Sequence, residues 1–326
     1  MSRKGEIREL GRTGLQISAI GQGCWQFSRG QGLGGEYWGY VDQAEVNAIV
    51  RAGIAGGINW FDTAEAYGHG ESERALARAL ASLGCSPGQI VIATKWRPVL
   101  RGASSILKTI AVRRKNLDGF PIDLYQVHNA YSFSRVEDEM AAMASLVLRG
   151  KIGNVGVSNF SAERMLRAER CLAEQGLHLA SNQVRYSLLD RRIETNGVLD
   201  LAEKLGVTII AYSPLAQGIL SGKFHDAPEL IKQRPGYRKY MGAFKAKGLE
   251  RSRPVVEAVR EIAVRHKATP SQVALSWVVG SRGATVVAIP GATTAAQAAE
   301  NAGALKLELS SEETRRLSEV STAFRD

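Results

Sequence analysis

The chain has 326 residues, of which 44% are hydrophobic and 23% charged, and its formal net charge at pH 7 is +10. That apolar fraction supports a sizeable core and excludes a disordered chain. The length fits two domains or one α/β barrel, which runs from roughly 200 to over 400 residues. The three cysteines, Cys24, Cys85 and Cys171, make neither a disulfide framework nor a CxxC zinc pattern, which points to a reducing compartment.

In chain order, the opening MSRKGEIREL has no apolar h-region. No later run approaches the ~18 apolar residues of a membrane helix, so a cytoplasmic protein without membrane contact is expected. Glu6–Leu10 and Leu15–Ser18 flank Gly11-Arg-Thr-Gly14 and predict a hairpin closing the bottom of the fold. Strand-like runs then follow at Ile17–Ile20, Ile58–Phe61, Ile90–Thr94, Ile122–Val127, Ile152–Val157, Ala180–Val184, Val207–Tyr212 and Thr285–Ile289. Helical spacing lies between them over Glu45–Ile54, Glu73–Leu83, Ile106–Leu117, Val136–Leu148, Ala162–Leu172 and Val198–Leu205. Asp42, Ser134, Ser161 and Ser311 are N-cap types at plausible helix starts. Eight alternating units in one chain predict a single α/β domain over 1–326. Its form would be a (β/α)8 TIM barrel with a short N-terminal β-hairpin and a long loop after strand seven, over 214–253.

In such a barrel the reactive groups sit at the C-terminal ends of the strands. Asp62, Lys95 and His128 end successive runs at intervals of 33 residues, so all three would converge on one cavity. Tyr67, five residues past Asp62, lies in a loop able to turn back over the mouth. A lysine ammonium beside the tyrosine would lower its pKa, an aspartate would orient the lysine, and a histidine would hold a substrate oxygen. That set supplies a proton to a developing alkoxide, as carbonyl reduction requires once hydride has arrived. No side chain is a hydride source, so a nicotinamide is implied.

The segment Ile58-Asn-Trp-Phe-Asp-Thr-Ala-Glu-Ala-Tyr-Gly-His-Gly-Glu-Ser-Glu73 resembles the aldo-keto reductases, NADP(H)-dependent oxidoreductases. So do Ala93-Thr-Lys95, Val127-His-Asn129, Gly156-Val-Ser-Asn-Phe160, Ala211-Tyr-Ser-Pro-Leu215 and Ile289-Pro-Gly291, in family order from about residue 6 to 322. The resemblance implies NADPH-dependent, reversible reduction of an aldehyde or ketone. Asp62, Tyr67, Lys95 and His128 would form the catalytic tetrad, with Tyr67 as the acid. It further implies that Tyr212 stacks on the nicotinamide and that Ser158, Asn159 and Gln183 bind its carboxamide. Ser213, Leu215, Gln217, Gly218 and Lys223 would line the pyrophosphate, and Gln297, Glu300 and Asn301 the adenosine end. Many relatives carry Lys or Arg just after this Pro-Gly, where this chain has Ala292-Thr293-Thr294. Potassium-channel β subunits also lack the basic residue, so Thr293, at the start of a helix, would take the 2′-phosphate. NADP(H) is expected over NAD(H). A cofactor-binding, redox-sensing subunit like those channel partners is the alternative to an enzyme.

Gly30-Gln-Gly-Leu-Gly-Gly35 matches GxGxxG but does not open a helix directly after a strand, so it is read as a loop. No HExxH occurs and the five histidines lack metal spacing. Of the aromatics near the mouth, Trp25 and Trp96 are expected to wall the substrate pocket. Tyr37, Trp38 and Tyr40 are expected merely to pack a loop. From Lys232 to Arg253 eight basic residues face the single acid Glu250, holding +7 of the net charge, and predict a basic clamp over the cofactor phosphates. No recognition motif supports nucleic acid as a partner. The expected partner is a small-molecule carbonyl compound.

Overall fold

A computed structural model describes residues 7–31 and 37–326. Glu6, at the start of the expected hairpin, and Gly32–Gly35 of the glycine-rich stretch lie outside the described residues.

β1 (Ile7–Glu9) and β2 (Gln16–Ser18) pair antiparallel, with Ile7 opposite Ser18. The barrel strands follow as β3 (Gln22–Gly23), β4 (Trp60–Asp62), β5 (Val91–Trp96), β6 (Leu124–Val127), β7 (Asn154–Ser158), β8 (Leu179–Arg185), β9 (Thr208–Tyr212) and β10 (Val286–Ile289). Each is parallel to its neighbours in chain order. The ring closes where Ile20 bridges Ala288 and Gly23 bridges Gly291. The expected barrel is therefore present, with one correction. Ile17–Ile20 is split: Ile17 belongs to the hairpin and the first barrel strand is the two-residue Gln22–Gly23. A run of alternating small and apolar residues does not show where one strand ends and the next begins.

The hairpin does close the bottom. Leu10 and Ile17 pack with Trp60, Ala93, Leu124, Ala180, Ile210 and Val287 in one buried cluster inside the barrel. Gly11 has φ +58°, and a Cβ there would stand 2.6 Å from the Ala180 carbonyl oxygen, so the turn needs glycine on both counts.

The helices are α1 (Gln43–Ala55), α2 (Glu71–Ser82), α3 (Ser104–Asn116), α4 (Val136–Leu148), α5 (Ala162–Ala173), α6 (Val198–Leu205), α7 (Lys223–Asp226), α8 (Ala246–His266), α9 (Pro270–Gly280), α10 (Ala295–Gly303) and α11 (Ser311–Val320). Asp42 and Ser161 cap α1 and α5, each side chain accepting from the backbone N–H three residues on. Two expected caps move. Ser134 is one residue too early: Arg135 is the N-cap of α4, and the Ser134 hydroxyl accepts from Ala103 N instead. Ser310, not Ser311, caps α11, and Glu313 completes a capping box with it.

The segment after β9 is not structureless. It runs through short helical turns and the start of α8, and it holds its own core of Ile219, Phe224, Ile231, Phe244 and Leu249. Those apolar residues fall at irregular intervals, so no single period showed in the sequence. Among the described residues no helix is long and apolar enough to cross a membrane.

Candidate active site

Asp62 is the last residue of β4, Lys95 lies next to the end of β5, and His128 directly follows β6. Lys95 is fully buried. Its Nζ donates to an Asp62 carboxylate oxygen, to the Thr63 carbonyl at 2.9 Å and to the Tyr67 hydroxyl at 3.3 Å. The second Asp62 oxygen accepts from Gln126 Nε2 at 3.0 Å and Gln183 Nε2 at 2.9 Å. The ammonium also lies 4.9 Å from the centre of the Tyr67 ring, and the His128 ring meets that ring edge-on with centroids 5.6 Å apart. The four expected residues thus converge, with Tyr67 between the buried ion pair and the half-buried histidine.

The loop carrying Tyr67 is fixed from beneath. Tyr67 N bonds the Ala64 carbonyl, and Glu65 N bonds the Lys95 carbonyl. The Glu65 carboxylate pairs with Arg101 and with Arg113 at 2.7 Å. Arg113 also pairs with buried Glu73 at 3.0 Å, whose oxygens accept from Thr94 Oγ1 and Asn116 Nδ2. A buried carboxylate with this many donors is compensated, so the network holds the loop rather than reacting.

The electrostatics differ from expectation at one residue. Burial raises the Tyr67 pKa, and Lys95 offsets only part of that, so the phenol is held protonated rather than acidified. Burial also works against the Lys95 charge, but Asp62 and Tyr67 outweigh it and its pKa is raised. His128 is pushed well below its usual value by burial, then by Lys95 and Arg97, and is a neutral imidazole.

These residues face a cavity of about 980 Å³. Asp62, Tyr67 and His128 line it, and Lys95 lies beneath. All the expected cofactor positions line it as well: Ser158, Asn159, Gln183, Tyr212, Ser213, Leu215, Gln217, Gly218, Lys223, Thr293, Gln297, Glu300 and Asn301. Ser158 donates to the Gln183 carbonyl at 2.9 Å, and the Tyr212 hydroxyl donates to Asn159 Oδ1 at 3.1 Å. Asn159, Ser213 and Gln217, which line the cavity, and the adjacent Ala216 all have positive φ, between 47° and 59°, in the left-handed region.

Thr293 lies one residue before the helix. Thr294 is the N-cap of α10, while Thr293 N and Oγ1 both donate to Gln297 Oε1, at 2.8 and 3.1 Å. The first helical N–H, of Ala295, donates to the Glu45 carboxylate of α1 at 2.7 Å. An acid therefore occupies part of the helix end expected to receive an anion.

The aromatic assignments change. Trp25 lines the cavity, stacked between Tyr37 (centroids 4.8 Å apart, 13° between planes) and Tyr67 (5.8 Å, 20°). Trp96 does not: it is fully buried, its indole N–H donates to Ser105 Oγ at 3.0 Å, and it is not among the described residues facing the cavity. Its position beyond Lys95 on β5 turns it outward, toward α3, because side chains alternate along a strand. Tyr37 and Trp38, expected only to pack, do line the cavity.

Of the basic run, Arg234 and Arg238 alone reach this cavity. Arg238 is 3% exposed, lies 4.7 and 4.0 Å from the ring centres of Tyr37 and Trp38, and leaves Nε and Nη1 without hydrogen-bond partners. Arg234 likewise leaves Nε and Nη1 unpartnered, and burial lowers its pKa. Burial and Arg234 lower that of Arg238 to about 10. Lys232, Lys245, Lys247, Arg251 and Arg253 are exposed, so most of the excess charge is solvated surface.

Sequence reasoning passed over Gln126, whose amide holds Asp62. The available signal was a glutamine inside the apolar run Leu124-Tyr-Gln-Val127. Among the described residues no group of three His, Cys, Asp or Glu side chains is placed to hold a metal ion.

Comparison with known proteins gives the family. The profile of the Aldo/keto reductase family matches residues 19–322. An uncharacterized oxidoreductase of Mycobacterium bovis is 37% identical over 314 residues, covering 95% of this chain and 91% of the relative. A thermostable aldo-keto reductase crystallised with the inhibitor epalrestat is 29% identical with a TM-score of 0.74, over 96% of this chain and 99% of that one. An aldo-keto reductase from Klebsiella pneumoniae, solved in complex with NADPH, is 27% identical with a TM-score of 0.71, over 96% and 94%. A barrel closed at the bottom, Tyr67 and His128 set above a buried Asp62–Lys95 pair, and a family match across nearly its whole length place this chain in the aldo/keto reductase family, as an oxidoreductase.

Proposed function

We propose that the protein reduces an aldehyde or ketone to the alcohol, reversibly, with NADPH. The observation that carries this is the Tyr67 hydroxyl, kept protonated by burial and held 3.3 Å from the Lys95 ammonium at the floor of the large cavity. The cofactor fits the residues present. Arg234 and Arg238 line the cavity, and two buried guanidinium nitrogens on each have no hydrogen-bond partner, which suits the phosphates of a dinucleotide. Ser213, Leu215, Gln217, Gly218 and Lys223 would hold the pyrophosphate beside them. Tyr212 would lie against the nicotinamide, with Ser158, Asn159 and Gln183 on its carboxamide. Thr293, Gln297, Glu300 and Asn301 would contact the adenosine end. When bound, the nicotinamide supplies the hydride.

The protein's own residues do the rest. Tyr67 gives its proton to the carbonyl oxygen as negative charge develops there. Lys95 keeps a positive charge beside the resulting phenolate, and Asp62 keeps Lys95 charged and aimed. Neutral His128 orients the carbonyl oxygen toward Tyr67 without competing for its proton. Trp25, stacked on Tyr67, walls the substrate space.

The test is NADPH consumption with a panel of aromatic and short aliphatic aldehydes. Turnover on some of them is expected, and Tyr67→Phe is expected to lose at least about a hundredfold in rate while keeping its NADPH affinity. A folded, NADPH-binding protein that turns over no carbonyl, or a Tyr67→Phe variant with most of its rate, overturns the reading.

A further inference from the structure

A second cavity, of about 410 Å³, lies on the far side of the Ser213–Gln217 wall, bounded by the segment that follows β9. Its depth is apolar: Leu189, Ile219 and Phe244 line it, and Phe324, in the last turn of the chain, forms one side. Its rim is cationic. Arg185, Lys247 and Arg251 all line it, against the one carboxylate of Asp190. That carboxylate is already paired with Arg192 at 2.7 Å, and with Arg185 at 3.9 Å. Arg251 bonds the Ala323 carbonyl with one nitrogen and lies 4.6 Å from the Phe324 ring, so it keeps further donors free to point elsewhere. Lys247 makes no hydrogen bond or ion pair with the described residues. Lys247 and Gly248 belong to the first turn of α8, a 21-residue helix with no acid in that turn and no side-chain cap. The partial positive charge of that helix end adds to those of Lys247 and Arg251, whereas Arg185 faces Asp190.

An apolar interior of this size under a cationic rim matches an amphiphilic organic anion: one carboxylate at the rim and a flat or aliphatic body of about ten carbons inside. Its apolar depth, with Leu189, Ile219, Phe244 and Phe324, suits an apolar body better than a nucleotide. We propose that it is a second binding site, separate from the active site, for a small organic carboxylate with an apolar body. The proposal stands whether or not the carbonyl reductase reading holds, since it rests on residues outside the tetrad and outside the cofactor positions other than the shared wall.

The test is calorimetric titration of the protein saturated with NADP+ using 2-naphthoate, with wild type and two variants at exposed positions. Lys247→Glu reverses the rim charge, and Ala243→Trp fills the mouth, which Ala243 lines. Wild type is expected to bind one equivalent with a dissociation constant below about 1 mM, and each variant to bind at least about tenfold more weakly. The same variants are expected to keep the wild-type melting temperature and the wild-type affinity for NADPH, which separates loss of the site from loss of the fold. No saturable binding by wild type overturns the proposal. Binding that both variants leave unchanged also overturns it, since the anion would then be held at the tetrad or elsewhere.

Discussion

The Tyr37 hydroxyl donates to Gln217 Oε1 across 2.7 Å, joining side chains 180 positions apart in the chain. One belongs to the loop after β3 and the other to the turn after β9. Both line the main cavity, as does Arg238, whose guanidinium lies 4.7 Å from the Tyr37 ring centre. The bond is therefore a latch across the space where the cofactor would lie. Tyr37→Phe keeps the ring that stacks on Trp25 and removes the hydroxyl, with its bond to Gln217 and its contact with Met241 Sδ at 3.7 Å. NADPH dissociation, followed by stopped-flow fluorescence, is expected to speed about fivefold, the worth of one hydrogen bond of about 1 kcal/mol. An unchanged rate removes the latch from the account.

Lys95 and Asp62 are a buried pair whose partners matter more than their sum. Lys95→Met leaves the Asp62 carboxylate buried with only two amide donors, and is expected to cost about 3 kcal/mol in urea unfolding. Adding Asp62→Asn removes the stranded charge, so the double variant is expected to be less destabilised than the two single losses added together. Additive losses would mean that the pair contributes no coupling.

The pH dependence follows from two groups with opposite consequences. His128 in the unfolded chain takes up a proton near 6.5, whereas in the folded protein it stays neutral until well below that. Below 6.5 the unfolded state therefore binds more protons, and stability is expected to fall as pH drops through that region. His128→Gln is expected to flatten this fall in urea midpoints measured from about pH 7.5 to 5. Tyr67 has its pKa raised above 10.0, so it remains a proton donor throughout the neutral range. The rate constant for reduction is expected to stay level up to about pH 10, and a decline centred near pH 8 would contradict the raised tyrosine.

On the proposed cofactor placement, Glu45 is expected to work against a 2′-phosphate. Its carboxylate holds the first N–H of α10, one turn from Gln297 and Glu300 on the cavity wall. A 2′-phosphate brought to Thr293 would meet that charge. Glu45→Gln is expected to tighten NADPH several-fold, by about 1 kcal/mol, with NADH affinity nearly unchanged. Equal effects on the two cofactors would place the phosphate elsewhere.

The tetrad was legible because Asp62, Lys95 and His128 repeat at the interval of one strand-helix unit, which makes a barrel set them side by side. The expected cofactor positions came only from resemblance, and the structure brings them to one cavity. What escaped the sequence depends on facing or on local cancellation. Trp96 sits next to Lys95, but the period of two along a strand sends it to the outer face. Tyr37 and Trp38 look like loop filler until Arg238, two hundred positions on, covers them. The direction of the Tyr67 shift was missed because a neighbouring cation is visible in a sequence and the depth of burial that outweighs it is not. The segment after β9 hid its helices because its small core is assembled from scattered apolar residues.

The amides of Gln126 and Gln183 leave the Asp62 carboxylate fully engaged, and Lys95 spends its N–H groups on Asp62, the Thr63 carbonyl and Tyr67. Of these groups around the tyrosine, the amides do not ionise, the ammonium is held charged and the imidazole is held neutral. The floor of the site is an electrostatic support for the tyrosine. On the proposed mechanism, each proton that Tyr67 gave up would be replaced from the cavity side, where the Tyr37–Gln217 bond lies.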